Sequence, residues 1–308
     1  MNSFSNKKAS IALTITIVVC FACSVLLLRK IDVARGPGLI RESLYISSPS
    51  ALKRMSLGYT GLLADIYWTR AVQYFGSHHQ RSAEEYNLLF PLLDITTTLD
   101  PKLTVAYRFG ATFLTEPPPQ GAGQPEKAVE LVKRGIERNP YDWRLYYDLG
   151  FLQAWDLHDY LAASKTFEKG SQLPNSNPAL KVLAAAYASR GGDLETSRLL
   201  WRSTYETAAN EAIRQNALQH LQSMKADDDV SALEKVVEQY RVKTGSLPAS
   251  FSDLISAGLL RAVPTDPTGR PYKLTADGKI QLQDPDAMPF ITKGAPPHWK
   301  PKITIPKD

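Results

Sequence analysis

The chain is poor in reactive side chains. Its two cysteines, Cys20 and Cys23, both lie near the start, so residues 24–308 hold no disulfide, no thiol nucleophile and no sulfur ligand for zinc. It has five histidines, His78, His79, His158, His220 and His298. None has a histidine or carboxylate partner at metal-ligand spacing, and the adjacent pair His78-His79 points apart on a helix. The G-x-S-x-G, phosphate-loop and dinucleotide glycine patterns are missing as well. These absences leave no candidate catalytic residue, cofactor or metal, and the expectation is a protein that is not an enzyme.

A charge excess is missing from the body too. Of the 36 basic residues, four lie in residues 1–30 and four in 284–308; of the 31 acidic ones, only three lie in those ends. Residues 31–283 therefore carry 28 of each sign and are neutral. A nucleic-acid binder concentrates cations on its folded domain, so no nucleic-acid partner is expected.

What the chain does have is a repeat. Leu149-Gly150-x-x-Gln153 returns 34 residues on as Leu183-Ala184-x-x-Tyr187, and Ala128-x3-Val132-x2-Gly135 returns 35 residues on as Ala163-x3-Phe167-x2-Gly170. Pro140 follows the first and Pro174 the second. A period near 34, with small residues where two helices cross and proline at the exit, predicts stacked helical hairpins.

The spacing resembles the tetratricopeptide repeat, which places a large residue at position 4, Leu-Gly at 7 and 8, and an aromatic at 11. Ala follows at 20, a large residue at 24, Ala or Gly at 27 and Pro at 32. Counted from Trp143, Tyr146, Leu149 and Gly150 fall at 4, 7 and 8; in the next repeat Leu183, Ala184, Tyr187 and Gly191 fall at 7, 8, 11 and 15. Ala128, Val132, Gly135 and Pro140 match 20, 24, 27 and 32 of the repeat before, whose first helix is expected around Ala106 to Leu114 with Gly110 at the crossing. A Pro/Gly-rich insert, Glu116 to Gln124, separates that pair and is expected on the surface. A weaker first repeat runs from Ala64 to Asp100-Pro101. A one-residue slip inside the repeat that begins at Trp143, and polar residues at Thr196 and Ser203, depart from the pattern. In this family positions 2, 5, 9 and 12–13 of each first helix line a groove. The resemblance thus implies a partner-binding surface made of Arg144, Tyr147, Phe151 and Trp155, with Tyr107 and Arg108 before it and Lys181 after it.

Ala9 to Leu28 is a run of 20 uncharged residues between Lys7-Lys8 and Arg29-Lys30. At about 1.5 Å per residue it spans about 30 Å, the thickness of a bilayer's hydrocarbon core. A cleaved signal peptide has a shorter run ending in a small-x-small site, whereas this one continues through Leu26-Leu27-Leu28 into two cations. The expectation is an uncleaved, single-pass anchor in the inner membrane, with lipid as one partner. Charge leaves the orientation open, both flanks being alike; the short head favours a body outside the cytoplasm.

Beyond the repeats, Asn210 to Ala226 reads as a helix interrupted by Asp227-Asp228-Asp229, after which Ser231-Ala-Leu-Glu234 reads as a capping box opening another. That helix is expected to end at Gly245. Leu247-Pro248, a short helix at Ser252 to Ala257, a stop at Gly258 and a tight Asp266-Pro-Thr-Gly269 turn follow, then a hairpin around Asp277-Gly278. Tyr240, Gly245, Leu247-Pro248, Asp266-Pro267, Gly269 and Pro271-Tyr272 resemble the globular end of type II secretion pseudopilins, with Thr268 in place of the usual Trp. Residues 1–12 contain neither the Gly nor the Glu of the pilin processing site, so the resemblance implies a borrowed interaction module and not a pilin subunit. Some pseudopilins bind calcium after this sheet; Asp284 and Asp286 lack the flanking ligands and read as solvated turn residues. The proline-rich stretch 284–308 is expected to be a flexible tail.

The expected organisation is mostly α: an anchor (1–30), a linker or first helix (31–58), a repeat solenoid (59–226), a small α+β module with a short hairpin (227–283) and the tail (284–308). The expected function is a membrane-anchored scaffold that holds protein partners of an envelope machine, a type II secretion or type IV pilus system. The alternative is an extracytoplasmic holdase that captures client peptides in the groove.

Overall fold

The computed structural model describes residues 15–27, 29–30, 48–78 and 86–300. It is mostly helical with one small two-stranded sheet, and its contacts separate residues 1–57 from residues 58–308. In the first unit, residues 15–27 are helical (α1), and so are 29–30; Pro49–Met55 forms α2, capped by the Ser48 hydroxyl. The rest of the Ala9 to Leu28 run lies outside the described residues. Among the described residues no helix is long and apolar enough to cross a membrane.

The second unit begins with α3 (Thr60–His78), α4 (Leu89–Leu99), α5 (Thr104–Thr115) and α6 (Pro125–Arg138). It continues with α7 (Trp143–Phe151), α8 (Tyr160–Ser171), α9 (Ala179–Arg190) and α10 (Leu194–Thr207). Each packs mainly on the helix before and after it, and α4 and α5 also touch α6 and α7. The amphipathic pattern explains this. In α6, which opens on Pro125, the residues Ala128, Val129, Leu131, Val132 and Gly135 are buried at three- and four-residue spacing, while most of the remaining positions are charged. Side-chain caps fix the starts: Asp142, Asp159 and Asp193 accept from the amides of Arg144, Ala162 and Thr196.

The crossing points are where small residues were expected. A Cβ on Gly110 would lie 2.7 Å from a Leu93 methyl, and one on Gly135 would lie 2.9 Å from the Tyr107 ring. On Gly150 it would lie 2.5–2.7 Å from three atoms of the Phe167 ring, and on Gly170 2.6 Å from Leu180. None of these separations is open to a real side chain, so the helices approach as closely as they do because these positions are glycine.

The C-terminal half of the unit departs from expectation in two places. Residues Glu211–Thr244 form one continuous 34-residue helix, α11, with no break at the aspartates and no new start at Ser231. The Ser231 hydroxyl donates back to the Asp227 carbonyl within the helix and caps nothing. The three aspartates are tolerated because each is spent on a different partner. Asp227 accepts from the Thr292 amide (2.9 Å), the Thr292 hydroxyl (2.7 Å) and the Lys293 amide (2.8 Å); Asp228 pairs with Arg198 at 2.6 Å and Asp229 with Lys225 at 2.5 Å. Repulsion along the helix is offset by these bonds. The helix ends, as expected, with Gly245 left-handed at φ +81°.

The second departure is the proline-rich stretch. Its described part, 284–300, is built into the core: Met288 is fully buried, Ile291 nearly so, and Trp299 packs against the same cluster. That cluster gathers Val230, Leu233 and Val237 of α11, Phe251 and Leu254 of α12 (Phe251–Ser256), Tyr272, and Ile280 and Leu282. Proline excludes helix but not burial, and apolar residues spaced between the prolines do the burying. Strands β1 (Lys273–Leu274) and β2 (Ile280–Gln281) pair antiparallel, Leu274 opposite Ile280, around the Asp277-Gly278 turn. Asp284 pairs with Arg270, and Asp286 accepts from the Trp299 indole at 2.9 Å, so both carboxylates serve the fold. Residues 301–308 lie outside the described residues.

Candidate functional site

Two adjoining clefts open beside α7. One, of about 380 Å³, is lined by Arg108, Trp143, Arg144, Tyr147, Phe151, Asn177, Ala179, Val182 and Leu183. The other, of about 400 Å³, is lined by Arg108, Ala111, Thr112, Thr115, Glu116, Pro117, Asp148, Phe151, Leu152, Trp155 and Asp156. Arg108 and Phe151 belong to both, so the two clefts meet at that pair.

The walls are aromatic because helical spacing puts Tyr147, Phe151 and Trp155 on one face of α7 and its continuation. Phe151 stands edge-on to Tyr147 with ring centres 4.6 Å apart, lies 4.7 Å from Trp155, and meets the ring of Phe167 at 5.2 Å. Phe167 is fully buried and acts as the floor under both Phe151 and Tyr147. A floor that cannot move fixes the rings above it, so the cleft is formed before anything enters it.

The continuation of α7 is not α-helical. Leu152–Asp156 is a π turn, closed by the Leu157 amide donating to the Leu152 carbonyl at 3.1 Å. A π turn contains one residue more than the α-helical path it replaces. That extra residue is the one-residue slip seen in the sequence, since Ala163, Phe167 and Gly170 follow it one place late. Trp155 consequently sits 63 % exposed at the rim, steadied by its indole N–H donating to the Tyr187 hydroxyl at 2.8 Å.

Charge in the groove is organised around Arg108. Its guanidinium holds Asp148 through Nε at 2.5 Å and a second nitrogen at 3.3 Å. The pair's two members lean opposite ways. The hydrogen bond it donates to Asp148 raises Arg108 above its ordinary value, while burial pushes the Asp148 carboxyl up against the pull of Arg108. The two-point geometry argues for the ionised pair in neutral water. Arg144 is half-exposed at the first cleft, lies over the Trp143 ring at 4.9 Å and stands 3.6 Å from the Asp142 carboxylate.

The structure brings together Arg108, Arg144, Tyr147, Phe151 and Trp155 of the seven groove residues expected from the repeat pattern. Tyr107 is placed elsewhere. It is fully buried against Gly135, its hydroxyl reaching the Thr97 carbonyl at 3.4 Å, and is core, because α5 turns its Tyr107 side inward under α6. Lys181 lies outside both clefts and donates to the Thr207 hydroxyl of α10 at 2.9 Å. Sequence reasoning missed Trp143, Asp148 and the insert. Glu116 and Pro117 form one wall of the second cleft, held by hydrogen bonds that the amides of Ala122, Gly123 and Gln124 donate to the carbonyls of Phe113, Glu116 and Leu114. An insertion of nine residues carrying three prolines was itself the available signal. Among the described residues no group of three or more His, Cys, Asp or Glu is placed to hold a metal ion.

No protein-family model matches the chain, and a search of the curated proteins returns no significant match.

Proposed function

We propose that the chain is a scaffold of tetratricopeptide-repeat type that docks a protein partner in the aromatic groove beside α7. The observation that carries this reading is the meeting of two open clefts at Phe151 and Arg108, with aromatic rings and two arginines in their walls. Aromatic and arginine side chains held on a rigid floor are the residue types that dominate binding energy at protein interfaces. The lining suits binding more than catalysis. Its central charged pair, Arg108 with Asp148, is closed on itself and presents no base to a nucleophile.

The setting proposed is the envelope of a bacterial cell, with the Ala9 to Leu28 run as a membrane anchor and the groove outside the cytoplasm. Its support is the length of that run and its flanking cations. The resemblance of residues 240–272 to pseudopilins supports a partner from a type II secretion or type IV pilus system.

A photo-crosslinking residue at Tyr147, introduced into the full chain in its own membranes, tests the reading. The expected product is one dominant adduct with a component of an envelope assembly, lost on Phe151→Ala. Many adducts with unfolded proteins would replace the scaffold by a holdase, and adducts with soluble cytosolic proteins alone would end the proposal.

A further inference from the structure

Tyr147 and Phe151 are fixed from below by Phe167, whereas Trp155 stands at the rim of the second cleft on a π turn. That turn is tied to the start and the middle of α8. The Asp159 amide donates to the Gln153 carbonyl at 2.7 Å, and the Thr166 hydroxyl donates to Gln153 Oε1 at 2.6 Å. With the backbone pinned, the freedom left to Trp155 is the pair of torsions that swing its indole.

One hydrogen bond removes that freedom. The indole N–H of Trp155 donates to the hydroxyl of Tyr187, which reaches it from α9, 32 residues along the chain, at 2.8 Å. Tyr187 is itself held fast. It is 8 % exposed, and its ring stacks on Phe167 at 5.5 Å and on Tyr160 at 6.1 Å. The Tyr160 ring in turn carries the Arg190 guanidinium at 4.5 Å. An indole as exposed as that of Trp155 can give its proton to water, so burial does not demand this bond. The effect of the bond is on orientation: it keeps the indole beside Phe151, 4.7 Å away, and spends the side chain's one donor.

A wall that is ordered before a partner arrives need not be ordered during binding, and affinity gains by that amount. On the premise that a partner docks beside α7, we propose that Tyr187 is a positioning residue of the groove, its hydroxyl locking Trp155 in place as the outer wall of the second cleft. Tyr187 lines neither cleft, so it contributes through Trp155. Removing the hydroxyl leaves the ring stacks standing and lets the indole swing, and the partner must then order it on arrival.

The full chain in detergent, with 5-fluorotryptophan at its five tryptophans, tests the tie itself. The Trp155 fluorine resonance is identified by its loss in Trp155→Phe. Tyr187→Phe is expected to move that resonance toward the position of free 5-fluorotryptophan and to leave that of Trp299, in the C-terminal core, where it was. An unmoved Trp155 resonance, or an equal change at Trp299, would overturn the assignment. Photo-crosslinking from position 147 in the cell's own membranes tests what the tie does for docking. Tyr187→Phe is expected to lower the adduct yield by about two- to tenfold, the effect of having to freeze one large side chain on binding. In a Trp155→Phe background, where no indole is left to hold, it is expected to lower the yield no further. Equal losses in both backgrounds would mean that Tyr187 acts through the fold alone and would sink the positioning role. Absence of any adduct from the parent would instead end the docking reading, while the fluorine spectra still decide whether Tyr187 holds Trp155.

Discussion

The helices α3 to α10 and the segment from α11 to residue 300 are both well packed, yet they cohere by different means. In the first, each helix leans on its neighbours in sequence, and the separation is set by glycines under a facing ring or methyl, as with Gly150 beneath Phe167. In the second, one 34-residue helix is the spine, and pieces distant in sequence are tied across it. Asp227 grips residues 65 and 66 positions away, and the core draws on Val230, Leu254, Tyr272, Ile280 and Met288 together. Local stacking repeats and leaves an open groove, whereas long-range tying closes around a core.

The contrast breaks first if the C-terminal stretch is not needed. Met288 is fully buried among residues that come from five parts of the chain, so Met288→Ala is expected to cost about 2–5 kcal/mol through lost burial and the cavity left behind. Urea unfolding followed by tryptophan fluorescence checks this, and a midpoint equal to the parent's would mean that 284–300 merely rests on the surface. A smaller effect tests the stacked region. Gly150→Ala is expected to cost about 1–3 kcal/mol by overpacking against Phe167. The control is Gly76→Ala, also in a helix but with nothing within 4 Å of the new methyl, which is expected to gain about 0.5–1 kcal/mol from reduced backbone freedom. Equal behaviour of the two variants would remove close approach as the principle of the stack.

The same division explains what could be read from the sequence. Where order is local, period carries it: Gly110, Gly135, Gly150 and Gly170 were identifiable as crossing points from spacing alone, and the hairpin at Asp277-Gly278 from its turn residues. The slip in the repeat from Trp143 was visible as a number, but its form, a π turn that turns Trp155 outward, was not, because periodicity counts residues and does not say how a surplus one is absorbed. Tyr107 was misplaced for a related reason. It sits next to Arg108 in sequence, and only the direction in which α5 faces α6 decides which of the two is core. Taken alone, the aspartate triplet reads as a break and the proline-rich stretch as a loose end, because neither has a partner within its own segment. The partners are each other: Asp227 holds Thr292 and Lys293. Contacts across 65 residues leave no local trace.

One side chain spans both regions and ties the contrast to pH. The His220 ring of α11 lies between Trp201 of α10, 3.9 Å away and nearly parallel, and Phe290 of the C-terminal stretch, 3.5 Å away. Burial between two apolar rings disfavours the imidazolium and pushes its pKa down from 6.5 to about 4. The folded protein then binds fewer protons than the unfolded chain between those two values. The stabilisation is accordingly complete above about pH 6.5 and drains away as pH falls toward 4, about 1–2 kcal/mol being lost by pH 5. His220→Phe keeps a flat ring in the stack and has nothing to titrate, so its urea midpoint is expected to change less than the parent's between pH 7 and 5. Parallel pH profiles for the two proteins would mean that the histidine is free to charge in place, and that the C-terminal stretch does not close over α10 and α11 as tightly as the three stacked rings require.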